Sequence, residues 1–378
     1  MKWKPTSVEM NFLSACEELL ATRRALNVID YAYITPSNSS EGEADGSALW
    51  EKLAALGASS TYKISQNEKL LITETIAPHL ANYVEDVGCF IDAGPGLLDS
   101  LSQKTMPTLR ALLKKDLALD IPEKDRMSYV AVDMHQPIAL HATSAVCSYF
   151  PRHVRPGPVA ADFAQQGRFI DRTNRKNNWG RSLIVMYGIT AGQFPLSTST
   201  DGPAKSTIIG APHREGRISL KTLLGYMKER VDHDGYMLFT VDTEKDPRRA
   251  VETYRGQLVE DFTQNVWHMA AKLANNPQNG RTFDPARMFY RATWNEEFSA
   301  VGHVYRTEVN QAIILNGRLS RDEPQRIMAD QAYLGGISVK CSEGRVTDEA
   351  RQAGWDVVHV FQQSNNTIKG ILLQAKPG

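Results

Sequence analysis

The sequence predicts an α/β protein: a doubly wound, mostly parallel sheet, accompanied by a second α+β lobe. Three observations carry this expectation. Between about residues 68 and 242, short apolar runs alternate with helical patterns, the sign of a parallel sheet. One of these runs, Phe90-Ile91-Asp92-Ala93, breaks into Gly94-Pro95-Gly96, a turn whose missing side chains let backbone N–H groups approach a ligand. Beyond Asp242 the alternation stops, and short strand-like runs of an antiparallel kind follow until about residue 339.

Taken in order, residues 7 to 27 place Val8, Phe12, Leu13, Cys16, Leu19 and Leu20 near helical spacing and predict an amphipathic helix. Thr35 to Gly46 is rich in Ser, Asn, Pro and Gly and reads as a loop, after which Gly46-Ser47 opens a helix through Leu56. Ser65 and Glu68 have capping-box spacing and predict a helix running to about Tyr83. Phe90 to Ala93 is then the first strand, and Met106 to Leu117 the helix after it. Tyr129 to Val132 is the second strand, ending at Asp133, followed by a helix over Gln136 to Tyr149. Val159 to Ala161 reads as a third strand ending at Asp162-Phe163, and Ser182 to Tyr187 as a fourth, apolar enough to be central. Residues 195 to 216 are either a lid or a plain solvated loop. A helix over Ile218 to Arg230 leads into a fifth strand, Tyr236 to Val241, ending at Asp242.

The remaining third is mixed. Arg248 to Ala274 reads as one long helix or a broken pair, and strands are expected around Trp294, Val301 to Tyr305, Ala312 to Leu315 and Gly336 to Val339. Thr347 is the expected N-cap of a helix ending near Gly354, and Val357 to Phe361 with Ile368 to Leu373 form a closing pair of strands. The sheet domain is therefore expected to be discontinuous, at 68–242 plus 340–378, with a second lobe at 1–67 plus 243–339.

Composition narrows the function classes. Hydrophobic residues make up 42% and charged residues 23%, and Lys+Arg and Asp+Glu balance at 43 each, so no global field favours nucleic acid or an anionic membrane. A small neutral or zwitterionic substrate suits this balance. The four cysteines, Cys16, Cys89, Cys147 and Cys341, show no CxxC pairing and predict reduced thiols and a cytoplasmic protein. The N-terminus predicts no signal peptide, no run approaches a membrane span, and the nine dispersed histidines predict no metal site. Oligomeric state is left open.

The strand tips carry the chemistry. Gly94-Pro95-Gly96, Asp133 and Asp162-Phe163 follow three successive strands, and in an open parallel sheet such ends share one crevice. An acid after the second strand can accept both ribose hydroxyls. An acid followed by an aromatic after the third can take an adenine amino group while the ring packs on the base. That pattern suits S-adenosylmethionine better than a nicotinamide dinucleotide, which calls for a fuller GxGxxG and an acid about 20 residues on.

With these residues in place, the chain resembles the histidine-specific methyltransferase family. Its members use S-adenosylmethionine to trimethylate the α-amino group of histidine in ergothioneine synthesis, and they include fungal enzymes acting on prenylated tryptophan. The resemblance runs over most of the chain after about residue 43. It rests on Gly46-Ser47-Ala48-Leu49-Trp50, on Tyr62 six residues before Glu68, on Gln103-Lys104-Thr105, and on Gly188-Ile189-Thr190-Ala191-Gly192-Gln193-Phe194. Asp242-Thr243-Glu244-Lys245-Asp246, Tyr254, Phe262-Thr263-Gln264-Asn265-Val266, Trp294-Asn295 and Ile337-Ser338-Val339-Lys340 continue it.

The resemblance implies a Rossmann-like methyltransferase sheet that binds S-adenosylmethionine through Gly94, Lys104, Asp133, Asp162 and Phe163. It also implies acceptor contacts from Tyr62, Gln193, Tyr254, His303, Gly336 and Ser338, with Tyr62 and Tyr254 as the catalytic pair that orients the amine. Methyl transfer from a sulfonium asks chiefly for positioning, with a neutral nitrogen held ~3 Å from the methyl carbon in a dry cleft.

The acceptor set departs from the family. Gly336 stands where a glutamate would complete imidazole recognition, and Gln193 replaces an asparagine of the carboxylate clamp. His303 falls near a methionine and reads either as a bond to the acceptor or as a satisfied histidine at the pocket edge. Without the glutamate a wrong substrate leaves no buried carboxylate unpaired, and the Gly335-Gly336 pair is expected to open volume. The expected activity is N-methylation of an amino acid or related small amine other than histidine, with room for a bulkier one, in natural-product biosynthesis. The alternative is a degenerate member that binds S-adenosylmethionine as a partner or regulatory protein; a nicotinamide oxidoreductase is a third reading.

Overall fold

The computed structural model describes residues 7–33, 46–55, 62–96, 98–114, 117–133, 136–157, 180–188, 190–197, 218–229, 231, 234–274, 279–317 and 323–376. Among these residues the first strands are β1 (Val87–Ala93), β2 (Met127–Val132), β3 (Val154–Pro156), β4 (Arg181–Met186) and β5 (Tyr236–Asp242). Next come β6 (Met288–Asn295), β7 (Ala300–Thr307), β8 (Gln311–Ile313), β9 (Gln325–Ile327) and β10 (Tyr333–Val339). β11 (Trp355–Phe361) and β12 (Ile368–Ala375) close the chain. Two compact units result: a sheet unit from the described residues of Ile64–Ala211, Ile218–Lys245 and Lys340–Gly378, and a second unit from those of Met1–Lys63 and Asp246–Val339.

The sheet unit holds a seven-stranded sheet in the order β11-β12-β5-β4-β1-β2-β3. β1 to β5 run parallel, and β12 lies antiparallel to both β5 and β11. The chain steps outward from β1 to β2 and β3, then returns to β4 on the other side of β1. Right-handed crossovers therefore put the helices of the two halves on opposite faces, which makes the sheet doubly wound. β2 and β5 are buried along their whole length, as strands covered on both faces must be. The expected third strand at Val159 to Ala161 lies outside the described residues; the strand that pairs with β2 on the side away from β1 is Val154–Pro156.

Two helix starts differ from the sequence reading. The helix Ile64–Leu71 begins one residue before Ser65 and runs through a π turn, Ile72–Ile76, into Ala77–Leu80. Glu68 does not close a capping box. Its carboxylate accepts from Gly188 and Thr240 and pairs with Lys104, because a buried cation and two donors outweigh one bond back to the helix start. Thr347 likewise lies inside its helix, Glu343–Gln352, and hydrogen-bonds back to the Gly344 carbonyl, while Ser342 is the N-cap.

In the second unit β6, β7 and β10 form an antiparallel sheet with β7 in the centre, and β8 pairs with β9. The first helix, Ser7–Thr22, stops earlier than its apolar periodicity because Arg23 turns to a positive φ of 62°. The chain then bonds to the edge of β10, Leu334 N–H to the Arg23 carbonyl and Ala25 N–H to the Leu334 carbonyl. Of the two readings for Arg248 to Ala274 the broken pair is found, as Pro247–Thr253 and Gln257–Ala274, with Tyr254 in the break and Gly256 at φ 135°. Trp267 and Tyr305, both fully buried, meet edge to face at 5.6 Å and centre the core of this unit. Among the described residues no helix is long and apolar enough to cross a membrane.

Candidate active site

In the sheet unit the strand order reverses between β1 and β4, so the ligand crevice of such a sheet lies at the carboxyl ends of these strands. Gly94 and Gly96 follow β1 with φ of 79° and 71°, the left-handed conformations that only glycine adopts freely. Gly94 N–H bonds the Val132 carbonyl at 2.9 Å and locks the turn to the end of β2. Among the described residues a Cβ at Gly94 would meet nothing within 4 Å, which leaves this side of the turn open to a ligand. Asp133 follows β2 at the same end and is half-buried.

Behind the turn lies a buried polar layer. Asp92, at 1% exposure, accepts from Thr105 Oγ1 at 2.7 Å and from the Tyr129 hydroxyl at 2.9 Å. Burial pushes its carboxyl up to about 6, against these two bonds and the nearby Lys104 charge, which pull the other way. Tyr129 is held well above the ordinary phenol range by burial and by the Asp92 charge. Lys104 Nζ pairs with Glu68 Oε2 at 2.6 Å, and Glu68 Oε1 accepts from Gly188 N–H at 2.6 Å and from the Thr240 hydroxyl. Thr108, one turn after Lys104, shares a 2.7 Å bond with the Tyr187 hydroxyl. The helix that follows the glycine turn is thus fastened to the sheet by three polar side chains, Lys104, Thr105 and Thr108. At the end of β5, Asp242 pairs with the buried Lys340. Although burial pushes the Asp242 carboxyl upward, Lys340 and further hydrogen bonds outweigh it and hold it low.

Gln193 belongs to this unit as well, half-buried at the end of the 3₁₀ turn Thr190–Gln193 that follows β4. Asp162 and Phe163 lie outside the described residues.

In the second unit, Tyr62, Tyr254 and His303 form an edge-to-face series. Tyr62 meets Tyr254 at 6.0 Å, and Tyr254 meets His303 at 5.2 Å. Trp50 flanks the series, 6.4 Å from Tyr62 and 5.5 Å from Phe262. The His303 ring is held at both nitrogens, Nδ1 by the Tyr290 hydroxyl and Nε2 by Ser338 Oγ, each at 2.9 Å. Of the two readings of His303, this is the satisfied histidine. Burial pushes the Tyr290 phenol well up, so it stays protonated and donates to Nδ1; on that assignment Nε2–H donates to Ser338.

Gly336 pairs in register with His303 across β10 and β7, but the glycine pair does not open volume. A Cβ on Gly336 would lie 2.3 Å from Ile29 Cγ2, and one on Gly335 2.5 Å from Tyr305 Cε2. The space freed by the missing side chains is filled by these neighbours, as close packing requires.

Tyr62, Tyr254, His303, Gly336 and Ser338 thus share one cluster, while Gly94, Lys104 and Asp133 share the carboxyl end of the large sheet. Sequence reasoning gave no site role to Glu68, Asp92 or Tyr290. An acid ending an apolar run signals Asp92, whereas nothing in the alternation of β6 singles out Tyr290.

The profile of histidine-specific, S-adenosylmethionine-dependent methyltransferases matches residues 43–375. The chain belongs to this family. No curated protein matches it. Solved structures similar to this methyltransferase include an S-adenosylmethionine-dependent methyltransferase from Clostridium acetobutylicum, at 12% identity over 87% of this chain and 97% of that one, TM-score 0.37. Another is the magnesium protoporphyrin IX methyltransferase of Synechocystis with bound S-adenosylhomocysteine, at 9% identity over 95% and 100%, TM-score 0.39. A third is the 1,6-didemethyltoxoflavin-N1-methyltransferase of Burkholderia thailandensis, at 9% identity over 91% and 93%, TM-score 0.34.

The cofactor of the family is S-adenosylmethionine, and the residues present fit it. The open turn at Gly94 admits close backbone approach, Asp133 is an acid after β2, and Lys104 offers an ammonium whose single protein partner among the described residues is Glu68.

Proposed function

We propose that this methyltransferase N-methylates an amino acid or related small amine other than histidine, in small-molecule (natural-product) biosynthesis. One observation carries the exclusion of histidine. Ser338, the residue that the family resemblance assigns to a substrate imidazole, is already bonded to the imidazole of His303. Gly336 adds no carboxylate and, with Ile29 against it, no room. An imidazole acceptor would find neither the hydroxyl nor the acid it needs, and unmet polar groups cost a wrong substrate heavily.

In this reading the sheet unit, about residues 68–242 plus 340–378, binds the methyl donor through Gly94, Lys104, Asp133, Asp162 and Phe163. The second unit, about 1–67 plus 243–339, binds the acceptor through Tyr62, Tyr254, His303, Gly336 and Ser338, and Gln193 contributes from the turn after β4. The bound sulfonium supplies an electrophilic methyl group. The protein's own task is to hold a neutral amine in line and dry. Tyr62 and Tyr254, at 5% and 6% exposure, present hydroxyls on rings fixed by edge-to-face packing, and so orient the nitrogen without spending rotamer freedom. His303 has both nitrogens engaged and serves to shape the wall. The cysteines are scattered along the chain without a CxxC pair, which suits a cytoplasmic enzyme.

The same His303–Ser338 bond also favours a second reading, a cofactor-binding partner protein that no longer methylates. Calorimetry with S-adenosylmethionine, S-adenosylhomocysteine and NAD tests the donor. A screen of amino acids and amines for S-adenosylhomocysteine release, with mass spectrometry of the product, tests the rest. Efficient trimethylation of histidine would sink the proposal. Donor binding without product from any amine would favour the second reading.

A further inference from the structure

The carboxylate of Glu68 is fully buried and reaches three separate pieces of the sheet unit. Oε2 takes the ammonium of Lys104, in the π turn Leu101–Thr105 behind the glycine turn of β1. Oε1 takes Gly188 N–H, just past the end of β4, and the hydroxyl of Thr240 in β5. Gly188 has a φ of 75°, a left-handed turn, and that turn leads to Gln193. One side chain therefore sits where the strand order reverses and ties together the helix after β1, the turn after β4 and the side of β5.

The chemistry of Lys104 gives this arrangement a consequence. An ammonium has three N–H donors. Glu68 is its ion-pair partner at 2.6 Å, and no other partner is found among the described residues, although the side chain is only 9% exposed. A buried ammonium in that condition is costly unless its remaining donors meet an anion or a strong acceptor. The carboxylate of the donor's amino-acid portion is such a group. Glu68 offsets the desolvation of Lys104 and fixes the direction of the remaining donors, because its other oxygen is itself anchored by Gly188 and Thr240. The carboxylate does not need to touch the cofactor to control it.

We propose that Glu68 is a positioning residue of the methyl-donor site, acting through Lys104. The assignment rests on Lys104 contacting the donor, as put forward above. It is tested by calorimetric binding of S-adenosylhomocysteine to the full chain and to three variants, Glu68→Gln, Lys104→Met and the double variant, each with a thermal melt. Glu68→Gln keeps an oxygen for Gly188 and Thr240 and removes the charge facing Lys104. It is expected to weaken binding about ten- to hundredfold, the value of one charge-assisted hydrogen bond. Lys104→Met is expected to weaken binding to a similar degree, and the double variant no further than Lys104→Met alone, since the two residues act as one. The double variant leaves neither member of the Glu68–Lys104 pair charged, and both it and Lys104→Met lose the Lys104 charge near Asp92, so their comparison decides the matter even where Glu68→Gln fails to fold.

Three results overturn the proposal in different ways. If Glu68→Gln melts lower and binds S-adenosylhomocysteine as the wild type does, Glu68 is structural only. If the double variant binds about tenfold more weakly than Lys104→Met, Glu68 reaches the donor by another route. If Lys104→Met binds normally, the placement of Lys104 in the donor site fails and the role of Glu68 falls with it.

Discussion

Replacing Asp92 by asparagine removes a buried charge while keeping its shape. In the folded protein burial raises this carboxyl from an ordinary 3.8 to about 6, in spite of the hydrogen bonds from Thr105 and Tyr129. Between these two values the unfolded chain has lost a proton that the folded chain still holds, so stability falls as pH rises. Below the lower value both states are protonated, and above the upper one neither is. A separation of about two pH units at ~1.36 kcal/mol each amounts to about 3 kcal/mol of wild-type stability, present in acid and absent at neutral pH. The substituted amide keeps an oxygen for both hydroxyls and has no charge to desolvate. Relative to wild type, Asp92→Asn should therefore gain about 3 kcal/mol between about pH 4 and about pH 8, whatever the offset from its new amide hydrogens. Urea unfolding followed by tryptophan fluorescence at the two pH values measures this. A difference that stays constant with pH, or one that moves against the variant as pH rises, refutes the reasoning.

Gly336→Ala should destabilise by about 1–3 kcal/mol in the same assay, since its Cβ would press within 2.3 Å of Ile29; Ile29→Ala in the same chain should recover part of the loss, and an unchanged midpoint for Gly336→Ala would contradict the packing described. Lys340→Met strands the buried Asp242 carboxylate and should cost about 3–5 kcal/mol at neutral pH. Because Lys340 holds Asp242 low in the wild type, that stability is present above the ordinary carboxylate range and lost as pH falls, so the two melts should converge in acid. Tyr254→Phe should lower turnover of whichever amine the screen identifies while the calorimetric affinity for S-adenosylhomocysteine stays within about twofold. A large loss of donor affinity would remove Tyr254 from the acceptor side.

Much of the architecture could be read from local pattern, because the forces that set it are local. Apolar runs at Phe90 to Ala93 and Ser182 to Tyr187 could only be buried strands, and the glycine pair after the first could only be a turn. Helix starts were less secure. The cap motifs Ser65 with Glu68, and Thr347, satisfied a spacing rule, yet a stronger partner elsewhere in the fold claimed Glu68, and Ser342 took the cap position five residues earlier. The site shows the same division. Gly94 and Asp133 declare themselves by position at strand ends, whereas the Glu68–Lys104 pair joins residues far apart in sequence, and no periodicity can announce that.

The sequence by itself determined the doubly wound sheet, the glycine turn after its first strand and, through family membership, methyl transfer from S-adenosylmethionine, because these depend on residue type at fixed spacing. Only the tertiary structure decided what fills the space beside Gly335 and Gly336, and which groups hold His303 and Lys104. A missing side chain leaves room only if no neighbour moves in, and here Ile29 and Tyr305 do. A histidine is available to a ligand only if its nitrogens are unclaimed, and Tyr290 and Ser338 claim both. Packing and hydrogen-bond satisfaction are properties of neighbours brought together by folding, so the surroundings of His303 and of the glycine pair became legible only in three dimensions.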